Sequence, residues 1–395
     1  MTDEFLLLNP GPVPLSEPVR TAMDAPMVSH RSAEFEETYA RAQNGLETVF
    51  TQSTLDGSAS GSGTPLILNG TATMGMEMAV ANLTDETSEV VALVNGKFGR
   101  RFKRIAGRHA SVTPVEVEWG DSFDMAAVSE AITNETDLVT MVHNETSTGL
   151  LNPVAEVGEI AAEHDALFVV DGVTSIGGDV FKIDDWNVDV AITDAQKALG
   201  APPGVSAIFV TERAVGSIDG ESAPFYQDLD WHLRKATDNQ TPFTSAVPLF
   251  RALAVALSEI ADEGMDTRIR RHRRQSRAFR AAFDAFGLES FPNVQGPTEL
   301  SNTLTAISLP GPIADDPDAF FDAIADRNVS ISGGQAHLGG DIFRVSNMGK
   351  LADEQIRRGV RVIGEALNEC GFDCSVDQGL SAATETLESE PATTA

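Results

Sequence analysis

Lys197 is the residue of this chain whose setting best suits chemistry. It stands in DAQKALGAPPG, residues 194–204, a turn of small residues between the apolar runs VDVAIT and GVSAIFV. Burial in such a turn disfavours the ammonium form and lowers the pKa of a lysine. The neutral amine is then a nucleophile that can form a Schiff base with an aldehyde. A surface lysine in a loop between two strands is the alternative that this segment alone leaves open.

Asp171 ends the apolar run ALFVVD, in the segment VVDGVTS. A carboxylate is costly to bury unless a cation is paired with it. If Lys197 carries an aldehyde cofactor with a pyridine ring, Asp171 can keep the ring nitrogen protonated and the ring an electron sink. The simpler alternative is an aspartate that caps the next helix.

An anion nest is predicted where the run PLIL, residues 65–68, continues into NGTATMGME and opens a helix. Backbone amides and hydroxyls at Thr71, Ala72 and Thr73 can receive a phosphate at the positive end of the helix dipole. Neither the Walker lysine pattern nor GxGxxG is present, which favours a simple phosphate ester over a nucleotide. An ordinary threonine N-cap is the alternative.

Two further loops bring side chains to strand ends. The run 138–143 continues into HNETSTG, which carries Thr146, and the run 90–94 continues into NGKFGRR, where Phe98 can stack on a flat ring. In an open parallel sheet such loops meet at the carboxyl edge of the strands. A lysine, an acid, an anion nest and an aromatic residue at one edge jointly fit pyridoxal 5′-phosphate.

The elements that must position these residues follow from a repeated pattern. Short apolar runs alternate with helical patterns, which predicts an α/β fold with a mainly parallel sheet. The last two runs are joined by the Lys197 turn, which is too short for a crossover helix, so they should pair antiparallel or leave the sheet locally. The runs are 65–68, 90–94, 112–119, 138–143, 166–171, 188–193 and 204–210.

The C-terminal third of the sequence does not show this alternation of apolar runs and helical patterns. A long helical pattern runs from Val247 to about Phe286, and its RIRRHRRQSR stretch is expected to be a solvated face paired with the protein's own carboxylates. A smaller α+β region follows, and the last residues have almost no large apolar side chains. We expect an N-terminal arm over 1–20, a cofactor-binding large domain over 21–250, a small α+β domain over 251–375 and a disordered acidic tail over 376–395.

Composition excludes several classes of protein. With 28 Lys and Arg against 59 Asp and Glu, the 395-residue chain has a net charge of −31, and this field argues against nucleic acid and anionic membranes as partners. Arginine nearly replaces lysine, as in proteins of salt-loving organisms whose cytoplasm screens charge. No signal peptide or membrane span is recognisable, so we expect a cytoplasmic protein. Cys370 and Cys374 are expected to be free thiols, and no metal site is predicted.

These motifs together resemble the class V aminotransferases, in particular the alanine–glyoxylate and serine–glyoxylate or serine–pyruvate branch. The resemblance implies the pyridoxal phosphate-dependent transferase fold of type I and a homodimer with shared active sites. It also implies transfer of the amino group of a small amino acid, alanine or serine, to the 2-oxo acid glyoxylate or pyruvate. It covers about residues 5–371 and rests on LLNPGPVPL, VSHRSAEFEETY, GTATMGME, NGKFGRRF, VHNETSTG, VVDGVTSIGG, DAQKALGAPPG, FYQDL, QTPFTSAVPLFRAL and GGQAHLGGDIFRVSNMG.

The resemblance implies a role for each site residue. Lys197 would form the Schiff base and then act as the base that moves the α-proton, while Asp171 would hold the pyridine nitrogen. Arg344 would clamp the substrate α-carboxylate with its planar fork. The remaining cofactor contacts would be Thr71, Ala72, Thr73 and Gln196 at the phosphate, Thr146 near the ring hydroxyl, Val173 and Phe98 on the two ring faces, and Thr244 of a second subunit at the phosphate.

Three alternatives remain open. His30 and Arg31 resemble positions that face the substrate side chain in relatives with charged substrates, which would favour aspartate or phosphoserine; otherwise they pair with local acids. A pyridoxal phosphate lyase such as a cysteine desulfurase needs a mobile cysteine near the site, and both cysteines fall at the end of the last predicted helix. A nucleotide-binding α/β domain needs a glycine-rich fingerprint, which the sequence lacks.

Overall fold

The computed structural model describes residues 4–218 and 223–389. The strands are β1 Leu6–Leu7, β2 Gly63–Asn69, β3 Glu89–Val94, β4 Ser111–Glu116, β5 Leu138–Val142, β6 Asn144–Glu145, β7 Leu150–Leu151, β8 Leu167–Asp171, β9 Val190–Asp194, β10 Val205–Thr211, β11 Glu299–Leu300, β12 Leu304–Ser308, β13 Val329–Ser330, β14 Ser332–Gly333 and β15 Ile342–Ser346. The helices are α1 Glu17–Met23, α2 Ala33–Thr51, α3 Ala72–Leu83, α4 Lys97–Ala106, α5 Met125–Ala131, α6 Val154–Glu163, α7 Glu212–Gly216, α8 Leu229–Ala236, α9 Val247–Glu263, α10 Met265–Phe286, α11 Gly311–Ala314, α12 Pro317–Ala325, α13 Asp353–Glu369 and α14 Val376–Ser389. Within the described ranges, no helix combines the length and apolar character that crossing a bilayer requires.

A seven-stranded sheet in the order β2-β10-β9-β8-β5-β3-β4 forms the centre of the larger part. Strands β4, β3, β5, β8 and β9 pair parallel, while β10 pairs antiparallel with both β9 and β2. The predicted antiparallel pairing across the Lys197 turn is confirmed. Because every strand except β10 runs the same way, the loops after β2, β3, β5, β8 and β9 meet at one edge.

The inner strands are apolar on both faces because helices cover both sides of the sheet. Every residue of β5, β8, β9 and β10 is buried. Strand β4 differs, since its residues are exposed or half-buried. The apolar run 112–119 is therefore not a strand covered on both faces, because β4 pairs on one side only and forms the edge of the sheet.

A second hydrophobic core lies around the antiparallel sheet β12-β15-β14 and helices α12, α13 and α14. Leu6 and Leu8 of the N-terminal segment belong to this core, and β1 pairs parallel with β13. Helix α10 contributes to both cores, because Ile269 lies in the first and Phe279 in the second. The domain boundary at residue 250 stays a prediction, and helix α10, which follows it in sequence, packs into both cores.

Two predictions for the C-terminal part are wrong. The long helical pattern is two helices, because the chain turns at Gly264 with φ of +80°. The predicted disordered tail is helix α14 up to Ser389, and residues 390–395 lie outside the described ranges. Small residues allow α14 to pack closely on α10: a Cβ at Gly379 would stand 2.2 Å from Cε1 of Phe286.

The basic stretch of α10 is only partly a solvated face: Arg270 and Arg277 are exposed, but other basic residues are not. Arg268, His272 and Arg274 are buried, because the helix lies between the two cores. The expected carboxylate pairing is confirmed: the Arg268 Nη1 and Glu263 Oε2 atoms are 2.7 Å apart, and the Arg274 Nη2 and Asp353 Oδ1 atoms are 2.8 Å apart. The Arg268 guanidinium also donates to the carbonyls of Gly177 and Ala198, and the latter follows Lys197 directly.

Candidate active site

Lys197 lies in the turn between β9 and β10, with only 7% of its surface exposed. Its Nζ donates a hydrogen bond to the carbonyl oxygen of Pro10, and no acid among the described residues forms an ion pair with it. Burial and, to a smaller extent, the positive charge of Arg344 lower the pKa of Lys197 to about 8, although nearby carboxylates act in the opposite direction. A Cβ at Gly11 would stand 2.8 Å from the lysine Cδ, so glycine is needed there.

A cavity of about 290 Å³ contains the Lys197 amine and opens at the carboxyl edge of the sheet. It draws residues from the N-terminal segment, from five strand-end loops and from the second core. Its lining residues are Pro10, Gly11, Thr71, Ala72, Thr73, Met76, Phe98, Arg101, Thr146, Asp171, Val173, Asp194, Gln196, Lys197, Ser332, Gln335 and Arg344.

Asp171 ends β8 and lines this cavity with 4% of its surface exposed. One carboxylate oxygen, Oδ1, accepts a hydrogen bond of 2.9 Å from the Val173 amide. Burial raises the pKa of Asp171 to about 7, while the Val173 hydrogen bond opposes that rise. None of the described residues forms an ion pair with this carboxylate, so a cationic group in the cavity would stabilise it.

The predicted anion nest lies at the start of α3. Thr71 is the N-cap of the helix, and its side chain makes no capping hydrogen bond. The Ala72 amide and the Gln196 side-chain amide both donate to Oδ2 of Asp194, each at 3.1 Å. Burial raises the pKa of Asp194 to about 6. No role was predicted for Asp194, although it follows the apolar run 188–193 directly and its position at the strand end was therefore open to inference.

Arg101 is a second site residue that sequence analysis did not identify. Its Nη1 donates a hydrogen bond of 2.9 Å to Oγ1 of Thr73, and its guanidinium carbon lies 4.8 Å from the centre of the Phe98 ring. A positive charge thus adjoins the nest. The signal was available, because Arg101 follows Phe98 by three residues on the predicted helix and so shares its face.

Glu145 fixes the position of Phe98. The backbone amides of Phe98 and Gly99 each donate a 3.0 Å hydrogen bond to Glu145 Oε2, and the Ser147 hydroxyl donates to Oε1 at 2.5 Å. These bonds satisfy amides of the first turn of α4, which its own backbone leaves free. A Cβ at Gly96 would stand 2.2 Å from Glu145 Cγ, so the close approach needs glycine. The VHNETSTG loop therefore holds the aromatic ring in the cavity.

Arg344 lies on β15 and reaches the cavity from the second core. Its Nη1 donates to the Thr146 carbonyl at 2.8 Å, and its Nη2 donates to the Gly333 carbonyl at 2.7 Å. Burial lowers the pKa of Arg344 to about 10, so it stays charged at neutral pH. None of the described residues forms an ion pair with it, which leaves its charge available to an anion.

The structure brings together most of the predicted site residues but not all. Thr244 is exposed and does not line the cavity of its own chain. His30 and Arg31 also lie outside it, and the Arg31 guanidinium donates hydrogen bonds to Gln240 Oε1 and to the carbonyls of Thr241 and Pro242. The residues that do line it are Lys197, Asp171, Thr71, Ala72, Thr73, Phe98, Thr146, Val173, Gln196 and Arg344.

Comparison with known proteins identifies the family. The family model "Aminotransferase class-V" matches residues 28–337. This chain belongs to that family. It is 34% identical to an uncharacterized aminotransferase of Methanocaldococcus jannaschii over 98% of each chain, and 30% identical to the L-aspartate–glyoxylate aminotransferase of Paracoccus denitrificans over 98% of this chain and 96% of the relative. A solved pyridoxamine–pyruvate aminotransferase of Mesorhizobium loti superposes with a TM-score of 0.89 at 25% identity, covering 99% of this chain and 98% of that one.

As a class V aminotransferase, the protein is a pyridoxal phosphate-dependent transaminase of fold type I. The donor set of the cavity fits that cofactor. Lys197 offers an amine for the aldehyde, Asp171 a buried carboxylate for the ring nitrogen, and Thr71 a free hydroxyl at a helix N-terminus for the phosphate. Cys370 and Cys374 are free and do not line the cavity, so no thiol is placed for a lyase of the desulfurase type.

Proposed function

We propose that this transaminase moves the amino group of a small amino acid, alanine or serine, to glyoxylate or pyruvate. The observation that carries the proposal is the buried, charged Arg344 guanidinium, which has no acid partner among the described residues and lines the cavity that contains Lys197. Amino acids and 2-oxo acids share the α-carboxylate that such a fork binds with two parallel hydrogen bonds. The cavity of about 290 Å³ must also hold the cofactor, which favours small substrates.

Each residue of the cavity has a part in this reaction. Bound pyridoxal phosphate supplies the aldehyde that receives the amino group and a ring that withdraws electrons from the substrate Cα. Lys197 Nζ, with its pKa lowered to about 8, takes the proton from Cα and returns it. The Asp171 carboxylate holds a proton at the ring nitrogen, and Arg344 orients the α-carboxylate. Phe98 and Val173, which both line the cavity, would contact the two faces of the ring.

The names of relatives support a small 2-oxo acid as acceptor. Similar proteins include serine–glyoxylate aminotransferases of Arabidopsis thaliana and Methylorubrum extorquens and an (S)-ureidoglycine–glyoxylate transaminase of Bacillus subtilis. Aspartate is the second candidate donor, favoured by the Paracoccus relative and by the positive charge of Arg101 at the cavity. A panel of alanine, serine, aspartate and phosphoserine against glyoxylate, pyruvate and 2-oxoglutarate tests the assignment. Rates with alanine and serine below those with aspartate would reverse the order of the two candidates.

Replacing Arg344 with Gln is expected to raise KM for both the amino acid and the 2-oxo acid by roughly 10²-fold, because both lose a buried charged contact. Steady-state kinetics at saturating cofactor measures the change. Arg344→Lys keeps the charge but loses the planar fork, so its KM values should lie between those of the wild type and those of Arg344→Gln. If Arg344→Gln had the KM values of the wild type, the clamp would have to be sought elsewhere.

We also propose that two copies of the chain share their active sites. An aromatic surface supports this: Phe225 is 73% exposed, Tyr226 is 46% exposed, and Phe243 stacks on Tyr226 with ring centres 4.7 Å apart. Exposed apolar patches of this kind mark interaction surfaces. Thr244, which follows Phe243 directly, would then be carried to the phosphate of the partner's site.

The dimer proposal predicts that Phe225→Asp combined with Tyr226→Asp halves the mass measured by sedimentation, since two charges would be buried unpaired. Val294→Asp, at an exposed valine elsewhere, is the matched control. Mixing Lys197→Ala subunits with Thr244→Ala subunits should regenerate one intact site per mixed dimer. Full-length wild-type protein that sediments as a monomer while active would refute the shared site.

The acidic surface supports a salt-rich cytoplasm as the place of action. The chain has a net charge of −31, so its acidic side chains repel one another in the folded state, and salt screens this repulsion. We expect the thermal unfolding midpoint to rise by at least about 5 °C between 0.1 M and 2 M KCl. Calorimetry across a salt series measures it, and a midpoint independent of salt would contradict the proposal.

A further inference from the structure

Helix α4 concentrates positive charge in a chain that is otherwise acidic. The sequence has 59 acidic residues against 28 basic ones, yet one cleft beside α4 contains five basic side chains and a single acid, Glu77. The cleft lies between α3 and α4 and has a volume of about 380 Å³. We call it the α4 cleft, and its basic residues are Lys97, Arg100, Arg101, Arg104 and Arg108.

These basic residues lack acid partners. None of the five forms an ion pair with a described residue, and the Glu77 carboxylate lies 3.8 Å from His109 instead. Arg104 and Arg108 are exposed. Burial and the charges of Arg101, Arg344 and Arg100 lower the pKa of Lys97. Like charges held this close repel one another, and a bound anion would relieve the repulsion.

The α4 cleft is continuous with the active site. Thr73 and Arg101 line both the cleft and the cavity that contains Lys197. Thr73 belongs to the anion nest, and its Oγ1 accepts a hydrogen bond from Arg101. An anion that leaves the cleft past these two residues therefore enters the nest at the start of α3.

We propose that the α4 cleft captures the phosphate group of free pyridoxal phosphate before the cofactor reaches the nest. The proposal rests on the cofactor chemistry assigned above. A chain with net charge −31 repels a phosphate dianion over most of its surface, and a cluster of cations at the mouth of the site reverses that field locally. Arginine is the side chain best suited to this task, because its fork matches the phosphate oxygens.

Cofactor loading tests the proposal directly. The enzyme is freed of cofactor, and the second-order rate constant for pyridoxal phosphate binding is followed by absorbance. The double variant Arg104→Gln/Arg108→Gln should load about tenfold more slowly at low salt, because two charges near the path of a dianion are lost. The difference should shrink at 1 M NaCl, where the screening length is only about 3 Å. Inorganic phosphate should slow loading of the wild type more than that of the double variant.

A matched control separates local charge from net charge. Arg20→Gln/Arg361→Gln removes the same two charges at exposed positions outside the cleft and should load at the wild-type rate. Equal loading by the cleft variant and the wild type would overturn the proposal. So would a cleft variant that sediments as a monomer when the wild type is a dimer, because the cleft would then belong to a contact with a second copy. Wild-type protein that never binds the cofactor would overturn the proposed function as well.

Discussion

Replacing Lys197 with Ala is expected to lower the rate of amino-group transfer by roughly 10³-fold or more, because a positioned general base alone contributes about 10²- to 10⁴-fold. No other amine takes its place: among the described residues that line the cavity, Lys197 is the only lysine. Borohydride reduction should fix the cofactor covalently to the wild-type chain and not to the variant. Mass spectrometry of the reduced protein measures this.

Two controls define what the loss means. Lys197→Arg keeps a positive charge but has no amine of lowered pKa, so it should be as inactive as Lys197→Ala. Lys350→Ala removes an exposed lysine, with 67% of its side chain accessible, and should keep wild-type activity. Added methylamine should restore part of the transfer rate to Lys197→Ala. A variant whose reduced chain still carried the cofactor would show that another residue forms the link.

Replacing Asp171 with Asn is expected to lower the transfer rate by about 10²- to 10³-fold, since removal of one preorganised electrostatic contact has effects of that size. Asparagine keeps the volume of the side chain but cannot hold the ring nitrogen in its protonated form. Asp171→Glu, which keeps the charge, should retain more activity. Single-turnover kinetics with saturating cofactor measures the chemical step, and equal rates for Asp171→Asn and the wild type would remove Asp171 from the mechanism.

The same substitution should have the opposite effect on the stability of cofactor-free protein. Burial raises the pKa of Asp171 from 3.8 to about 7 in the folded state. The folded protein therefore binds the proton more tightly than the unfolded chain, and stability is lost as the pH rises through this window. Above pH 7 the free energy of unfolding of Asp171→Asn should exceed that of the wild type by up to about 4 kcal/mol. Urea unfolding at pH 5 and pH 8 tests this, and a gain that did not grow with pH would contradict it.

Much of the site could be predicted because its residues share a rule of placement. Thr71, Phe98, Thr146 and Lys197 each follow a short apolar run and Asp171 ends one, and parallel strands bring the ends of such runs to one edge. Arg344 came from the resemblance alone, since a strand of the second core carries it and no periodicity of the sequence relates that strand to the large sheet.

What the sequence could not provide has physical reasons as well. Thr244, His30 and Arg31 lie outside the cavity of one chain. Contacts that they would make with a second copy of the chain produce no periodicity or motif in the sequence, so these roles could not be derived from it. Helix α14 was missed because low apolar content indicates disorder, whereas here Gly379 and Ala383 make close packing possible. Burial of Arg268 was missed for a related reason: its partners, the carbonyls of Gly177 and Ala198, are remote in sequence.

Helix α10 has a consequence for how the molecule melts. Its 22 residues place Ile269 in one core and Phe279 in the other without interruption. Loss of either core would expose part of α10 and weaken the packing of this helix in the other core. Short helices are unstable in water without tertiary packing, so a half-packed α10 would not persist. The two cores should therefore unfold as one cooperative unit, in spite of the two sheets around which they are built.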